Sequence, residues 1–267
     1  MKNHLLHVSR GCLSLAGMLL HPLGRFCGGM LSHLKTPERL DRGLVLVLPG
    51  IEGESCMNHS IARGLADGGV NAAIEIFDWT TGVILLFLYH LRGTRRNLRH
   101  ADRLVRRIVD YQQSHPGRPV YLVGHSGGAA MIALALERLP ADRKIACAIL
   151  LQAALSPDHD LSTALEHTEV GIWNFRSPLD VFFLGVGTWV AGTLDGPHQA
   201  AAGMVGFRLP PGLNSAAHKR YETQLHEVPF HKGMCADFHF GGHLTVTSRP
   251  FVANCVAPII QSAMVHS

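Results

Sequence analysis

The run Pro119-Val120-Tyr121-Leu122-Val123-Gly124-His125-Ser126-Gly127-Gly128-Ala129-Ala130 constrains this chain more than any other stretch. Apolar and β-branched residues stop at Gly124-His125-Ser126-Gly127-Gly128, and small helix-forming residues follow. The pattern predicts a strand, a sharp turn and a helix with Ser126 at the apex, the context that gives a G-x-S-x-G sequence meaning. Glycine is required two residues before and after Ser126, because side chains there would collide where strand and helix approach. Amides at the start of the helix then point at any anion forming beside Ser126.

That strand belongs to a series. Residues 43–48 form a continuous apolar run, as expected of a parallel strand buried on both faces. A turn at Pro49-Gly50-Ile51-Glu52-Gly53 leads into a helix through Ile61 and Leu65, closed by Gly68-Gly69. Further strands are expected at 71–77, 144–154 and 170–175, with helices at 94–113 and 129–139. Residues 181–234 carry weaker patterns, with short strands read at 203–209 and 226–230. A last strand at 234–240 and a closing helix at 249–265, with Pro250 in its first turn, complete the series. Strands alternating with helices at this spacing imply an α/β fold, a mostly parallel sheet covered on both faces. A chain of 267 residues suits one such domain, here 36–267, preceded by a helical segment at 1–35 with a helix expected over 11–34.

Composition removes several function classes. A net charge of +4 is mild, and the six arginines along 94–113 read as a solvated face without interleaved aromatics, so no nucleic-acid partner is expected. No run approaches the roughly 18 apolar residues of a membrane span. The apolar stretch 12–20 is interrupted by His21 and Pro22, so a packing helix is favoured over a secretion signal. A cytoplasmic location is therefore expected, with a membrane-surface contact through residues 1–34 left open. The six cysteines show no C-x-x-C pairing, and the Asn58-His59-Ser60 sequon is expected at a buried helix start. His231, Cys235, His239 and His243 recur every four residues, but Gly233 and Gly241-Gly242 oppose the helix that would align them. No metal and no cofactor are expected.

In a sheet of this kind reactive groups gather beyond the carboxyl ends of the strands. Ser126, Asp180 and His243 each follow such an end. On Gly124-His125-Ser126-Gly127-Gly128, Pro49-Gly50-Ile51-Glu52-Gly53, Ser177-Pro178-Leu179-Asp180 and Gly241-Gly242-His243, residues 43–265 resemble the α/β-hydrolase superfamily of serine hydrolases, without a large cap. The resemblance implies a triad in which Ser126 is the nucleophile, His243 the base and Asp180 its orienting acid, with an oxyanion hole at the amides of Ile51 and Gly127. His239 competes with His243 for the base; Asp158, Asp160 and Asp195 compete with Asp180. His125 is expected to point away from the reaction centre, and Glu52 to face solvent or serve structure. Trp79 with 83–87, and Phe182 and Phe183 after Asp180, are candidates for an apolar acyl pocket. The expected activity is hydrolysis of a small-molecule ester through an acyl-enzyme. The alternative is a catalytically silent protein of the same fold that binds an apolar ligand or a protein partner.

Overall fold

The computed structural model describes residues 2–20, 29–81, 93–196 and 198–266. Six strands form one sheet: β1 (Leu44–Leu48), β2 (Ala73–Ile76), β3 (Val120–His125), β4 (Ile145–Leu151), β5 (Thr168–Arg176) and β6 (Leu225–Pro229). Their order is β2-β1-β3-β4-β5-β6, and every neighbouring pair is parallel. Every residue of β1, β3 and β4 is buried, which is why these segments read as unbroken apolar runs rather than alternating ones.

Alternate side chains of β1 feed two cores. Leu44, Leu46 and Leu48 face α3 (Thr94–Ser114) and α4 (Gly127–Leu136) on one side. Val45 and Val47 face α2 (Cys56–Asp67) and the closing helix on the other. That closing helix, α7, runs from Arg249–Phe251 through a π-helical Val252–Val256 into Ala257–His266. Gly68 caps α2 and Gly69 takes φ +89°, as the paired glycines predict. Asn58 is fully buried in the first turn of α2, its Oδ1 accepting from the Ser55 amide at 2.9 Å. On α3 the arginines divide. Arg95, Arg99, Arg103 and Arg106 are exposed, whereas Arg96 is buried and Arg107 pairs with Glu75 at 2.9 Å.

Three readings of the sequence give way. Residues 203–209 contain no strand; a short helix, Ala202–Val205, starts there and Gly206 ends it at φ +90°. Residues 234–240 are not a strand but the 3-10 helix Lys232–Asp237, closed by Phe238 in left-handed conformation. β6 is thus the last strand. The N-terminal helix α1 runs Lys2–Leu19, earlier than the expected 11–34. The weakly patterned region also holds α5, a π-helical Val181–Gly187 continued by Thr188–Ala191, and α6 (Ser215–Gln224). The apolar stretch 83–87 lies outside the described residues. Among those described, no helix is long and apolar enough to cross a membrane.

Candidate active site

Ser126 sits where β3 turns into α4, with φ 53° and ψ −117°, a backbone conformation that costs a non-glycine residue about 1–3 kcal/mol. The neighbours make the turn this tight. A Cβ at Gly124 would lie 2.6 Å from the Ala129 amide nitrogen, and one at Gly128 would overlap the carbonyl oxygens of Leu48 and Pro49. The strained turn is fastened to the next strand end: the Ser126 amide donates to Leu151 O at 3.0 Å, and its carbonyl accepts from the Ala154 amide at 3.2 Å. The Gly127 amide lies in the first turn of α4, where no intrahelical acceptor exists.

His243 and Asp180 arrive from further along the chain. Nδ1 of His243 is 2.5 Å from Oδ2 of Asp180, and both side chains are buried. A carboxylate at that atom fixes the imidazole with its proton on Nδ1 and Nε2 left as the basic nitrogen. The His243 ring lies between two others: Phe183 stacks on it at 4.8 Å and 22°, and His125 packs at 4.8 Å and 44°. Burial pushes the His243 imidazole below its ordinary value, against the pull of the Asp180 carboxylate.

Ser126 and His243 line the same cavity, of about 380 Å³, at the carboxyl ends of the strands. Ile51 and Glu52 form one wall, with Met57 from α2. α5 forms another, through Phe183, Leu184, Gly187, Thr188 and Ala191. The structure records no hydrogen bond between the Ser126 hydroxyl and His243, a contact that commonly tightens only when substrate is bound. A larger hollow of about 460 Å³ at the opposite edge is lined by Gln112, Arg118 and Lys144 and carries no candidate nucleophile.

Other sequence candidates lie elsewhere. His239 does not line the cavity; it packs between Phe230 and Phe251, accepts or donates at Thr245 Oγ1 (3.1 Å), and burial lowers it to about 4. Asp158 pairs with Arg208, Asp160 accepts from Ser162 and Tyr221, and Asp195 pairs with His159. Trp79 is fully buried and not a cavity wall: its Nε1 donates to Pro49 O at 2.7 Å, and its ring abuts Gly127. An indole nitrogen needs a partner when buried, and here it finds one behind the loop after β1. Phe182 also stays outside, pointing to solvent at 77 % exposure; of the expected pair only Phe183 lines the cavity.

His125 contradicts its sequence reading, and of the two alternatives for Glu52 the solvent-facing one falls. His125 does not point away. Its Nε2–H donates to the His243 carbonyl at 3.0 Å, and its ring lines the cavity. Glu52 does not face solvent. Its side chain is 8 % exposed, lines the cavity, and carries Oε1 3.8 Å from His125 Nδ1. Burial alone would raise the Glu52 carboxyl, but the adjacent His125 outweighs it and the group is held below its ordinary value. Gln152 was not legible either. It takes φ 51° after β4 and reaches Gly241 O from Nε2 at 3.4 Å, steadying the loop that carries His243. Nothing in the local sequence marks these pairings, because each joins strand ends remote in the chain.

Among the described residues no group of three or more His, Cys, Asp or Glu is placed to hold a metal ion. His231, Cys235, His239 and His243 are parted by the turn at Phe238. Cys147 is buried in β4 and pushed up to about 12, so it is no nucleophile at neutral pH.

No family model matches the sequence, and no curated protein does. Solved structures do. A Thermus thermophilus protein is 16 % identical over 84 % of this chain and 89 % of its own, with a TM-score of 0.47. A dienelactone hydrolase-like promiscuous phosphotriesterase from metagenomic libraries is 14 % identical over 83 % and 86 %, at 0.45. Trichoderma reesei cutinase, in complex with a phosphonate inhibitor, is 13 % identical over 96 % and 89 %, at 0.42.

Proposed function

We propose that this chain is a serine hydrolase of the α/β-hydrolase type that cleaves apolar carboxylic esters through an acyl-enzyme. The observation that carries the reading is the shared cavity. A serine on a strained strand-to-helix turn and a histidine held at 2.5 Å by a buried aspartate line the same 380 Å³ space. A strained nucleophile elbow persists only where the surrounding structure over-determines it, and such strain concentrates at reactive sites.

In this reading the Ser126 hydroxyl attacks the ester carbonyl while His243 Nε2 takes its proton. Asp180 accepts from Nδ1–H throughout and stabilises the imidazolium. The tetrahedral oxyanion lies against the Gly127 amide and the amide of Ile51, the two donors of the oxyanion hole. Collapse expels the alcohol, which leaves with the proton from His243. Water then enters, gives its proton to His243, and attacks the acyl-Ser126 carbonyl to release the acid. Phe183, Leu184 and Ala191 offer the acyl chain an apolar wall, and the cavity volume falls within the range usual for small-ligand sites. Ser126→Ala should lower p-nitrophenyl ester turnover by roughly four orders of magnitude or more while circular dichroism is unchanged. Turnover within tenfold of the parent protein would sink the assignment.

A further inference from the structure

The N-terminal helix is inside out. A helix resting on a domain ordinarily turns its leucines inward. α1 instead buries Gly11, Ser14 and Met18, with Phe238 against Gly11 and the Ser14 hydroxyl accepting from the Arg249 amide at 3.0 Å. Leu5, Leu6, Leu13 and Leu19 point outward, Leu13 at 69 % and Leu19 at 85 % exposure, while Leu15 is half-buried. α5 has a second such face: its inner side lines the cavity through Phe183 and Leu184, while Val186, Trp189 and Val190 stand in solvent.

Both segments reach the rim of the cavity. At its C-terminal end α1 meets Cys56, whose Sγ donates to the Leu20 carbonyl at 3.6 Å, and the next residue, Met57, is a cavity wall. On the other flank Phe238, seated on α1, lies 6.4 Å from exposed Phe240, and the adjoining Gly241 lies beside exposed Leu179, one residue before Asp180. Taken together, α1, Phe240, Leu179 and α5 present a strip of exposed apolar residues, and the C-terminal end of α1, through Cys56 and Met57, and the inner side of α5 both reach the cavity that Ser126 lines. It carries little charge. α1 holds no acidic residue, and 181–194 hold no charge at all. Arg10 is drawn to Asp67, so the exposed face of α1 presents Leu5, Leu6, Val8, Leu13 and Leu19, with His4, Ser9 and Cys12 among them.

We infer that this strip docks the protein onto a lipid bilayer, with α1 and α5 lying in the interface and the cavity mouth opening against the lipid. Leucines outward on α1, a tryptophan outward on α5 and no acidic side chain on either are the composition that the headgroup–acyl boundary favours. The inference rests on the hydrolase reading only for why the mouth should face lipid; docking itself needs no turnover.

The full chain is mixed with phosphatidylcholine–phosphatidylglycerol vesicles and followed by co-sedimentation and tryptophan emission. The expected result is co-sedimentation with a blue shift quenched by brominated lipid, a signal lost in Trp189→Phe because Trp79 is buried and Trp173 half-buried. Leu13→Gln/Leu19→Gln and Trp189→Gln/Val190→Gln should each weaken partitioning about tenfold or more while turnover of soluble p-nitrophenyl acetate stays that of the parent. Ser126→Ala should dock as the parent does, so loss of docking and loss of chemistry are read separately. Docking fails if the parent protein stays in the supernatant with unshifted emission, or if both double variants partition as it does. It also fails if sedimentation shows a dimer that those substitutions split, since a second copy then covers the strip.

Discussion

At φ 53° the Ser126 backbone is held where few serines sit, and the atoms holding it are the Leu48, Pro49 and Gly128 main chain pressed into the turn. The same tightness brings the first-turn amide of Gly127 beside the hydroxyl. Its neighbours are less obvious. His125 reaches over to the His243 carbonyl, and Glu52 sits beside it as a buried carboxylate, so a second histidine–carboxylate pair backs the first. The acid limb of the rate should report this environment. His243 must be neutral to take a proton, and burial holds it below the ordinary imidazole value of 6.5. Ester turnover is therefore expected above that lowered value and should be lost as pH falls through it. A kcat/KM profile should place the midpoint of the acid limb below 6.5; a midpoint above 7 would contradict the burial argument. What the sequence showed at this scale was local: Gly124, Ser126 and Gly128 announce their turn because the collision they avoid is between neighbours in the chain. Glu52, His125 and Gln152 were hidden, since their partners come from other strand ends and leave no spacing to read.

Among the elements, the strands were legible where burial is two-sided and failed where the signal was a few residues long. Continuous apolar runs gave β1, β3 and β4, whereas 203–209 and 234–240 look extended only because short helical turns with glycines lack a full period. α5 escaped for a related reason: Val181-Phe182-Phe183-Leu184 is apolar on every side because one side faces the cavity and the other solvent. The segment after α5 is anchored by His159, which lies between Asp195 (3.1 Å) and Glu137 (2.6 Å) and so ties the loop after β4 to the end of α4. Burial pulls His159 down, but the two carboxylates more than reverse this and raise it to about 9. With the folded value above the unfolded one, the clamp's contribution is complete below about 6.5 and is lost as pH rises through about 9. His159→Gln should therefore lower stability by roughly 2 kcal/mol in urea titrations at pH 6, with a markedly smaller difference at pH 10. Equal differences at the two pH values would mean that the imidazolium is not what holds the clamp.

Over the whole molecule, a parallel sheet collects at one rim what the chain scatters: Ser126 after β3, Asp180 after β5 and His243 after β6. Their order was readable from sequence through the strand ends, but their meeting was not, because it depends on the register of five strand pairs and on the lie of the loop 230–243. α5 lines the rim and the C-terminal end of α1 reaches it through Cys56, so, on the proposed docking, chemistry and lipid contact share one side of the protein. In the proposed reaction these three side chains act as one unit. Fluorophosphonate labelling with peptide mass mapping tests that unit. In the parent protein the adduct should form on Ser126 alone, and in His243→Ala the labelling rate should fall by about a hundredfold or more. A parent protein that stays unlabelled, or an adduct on another residue, would contradict the account.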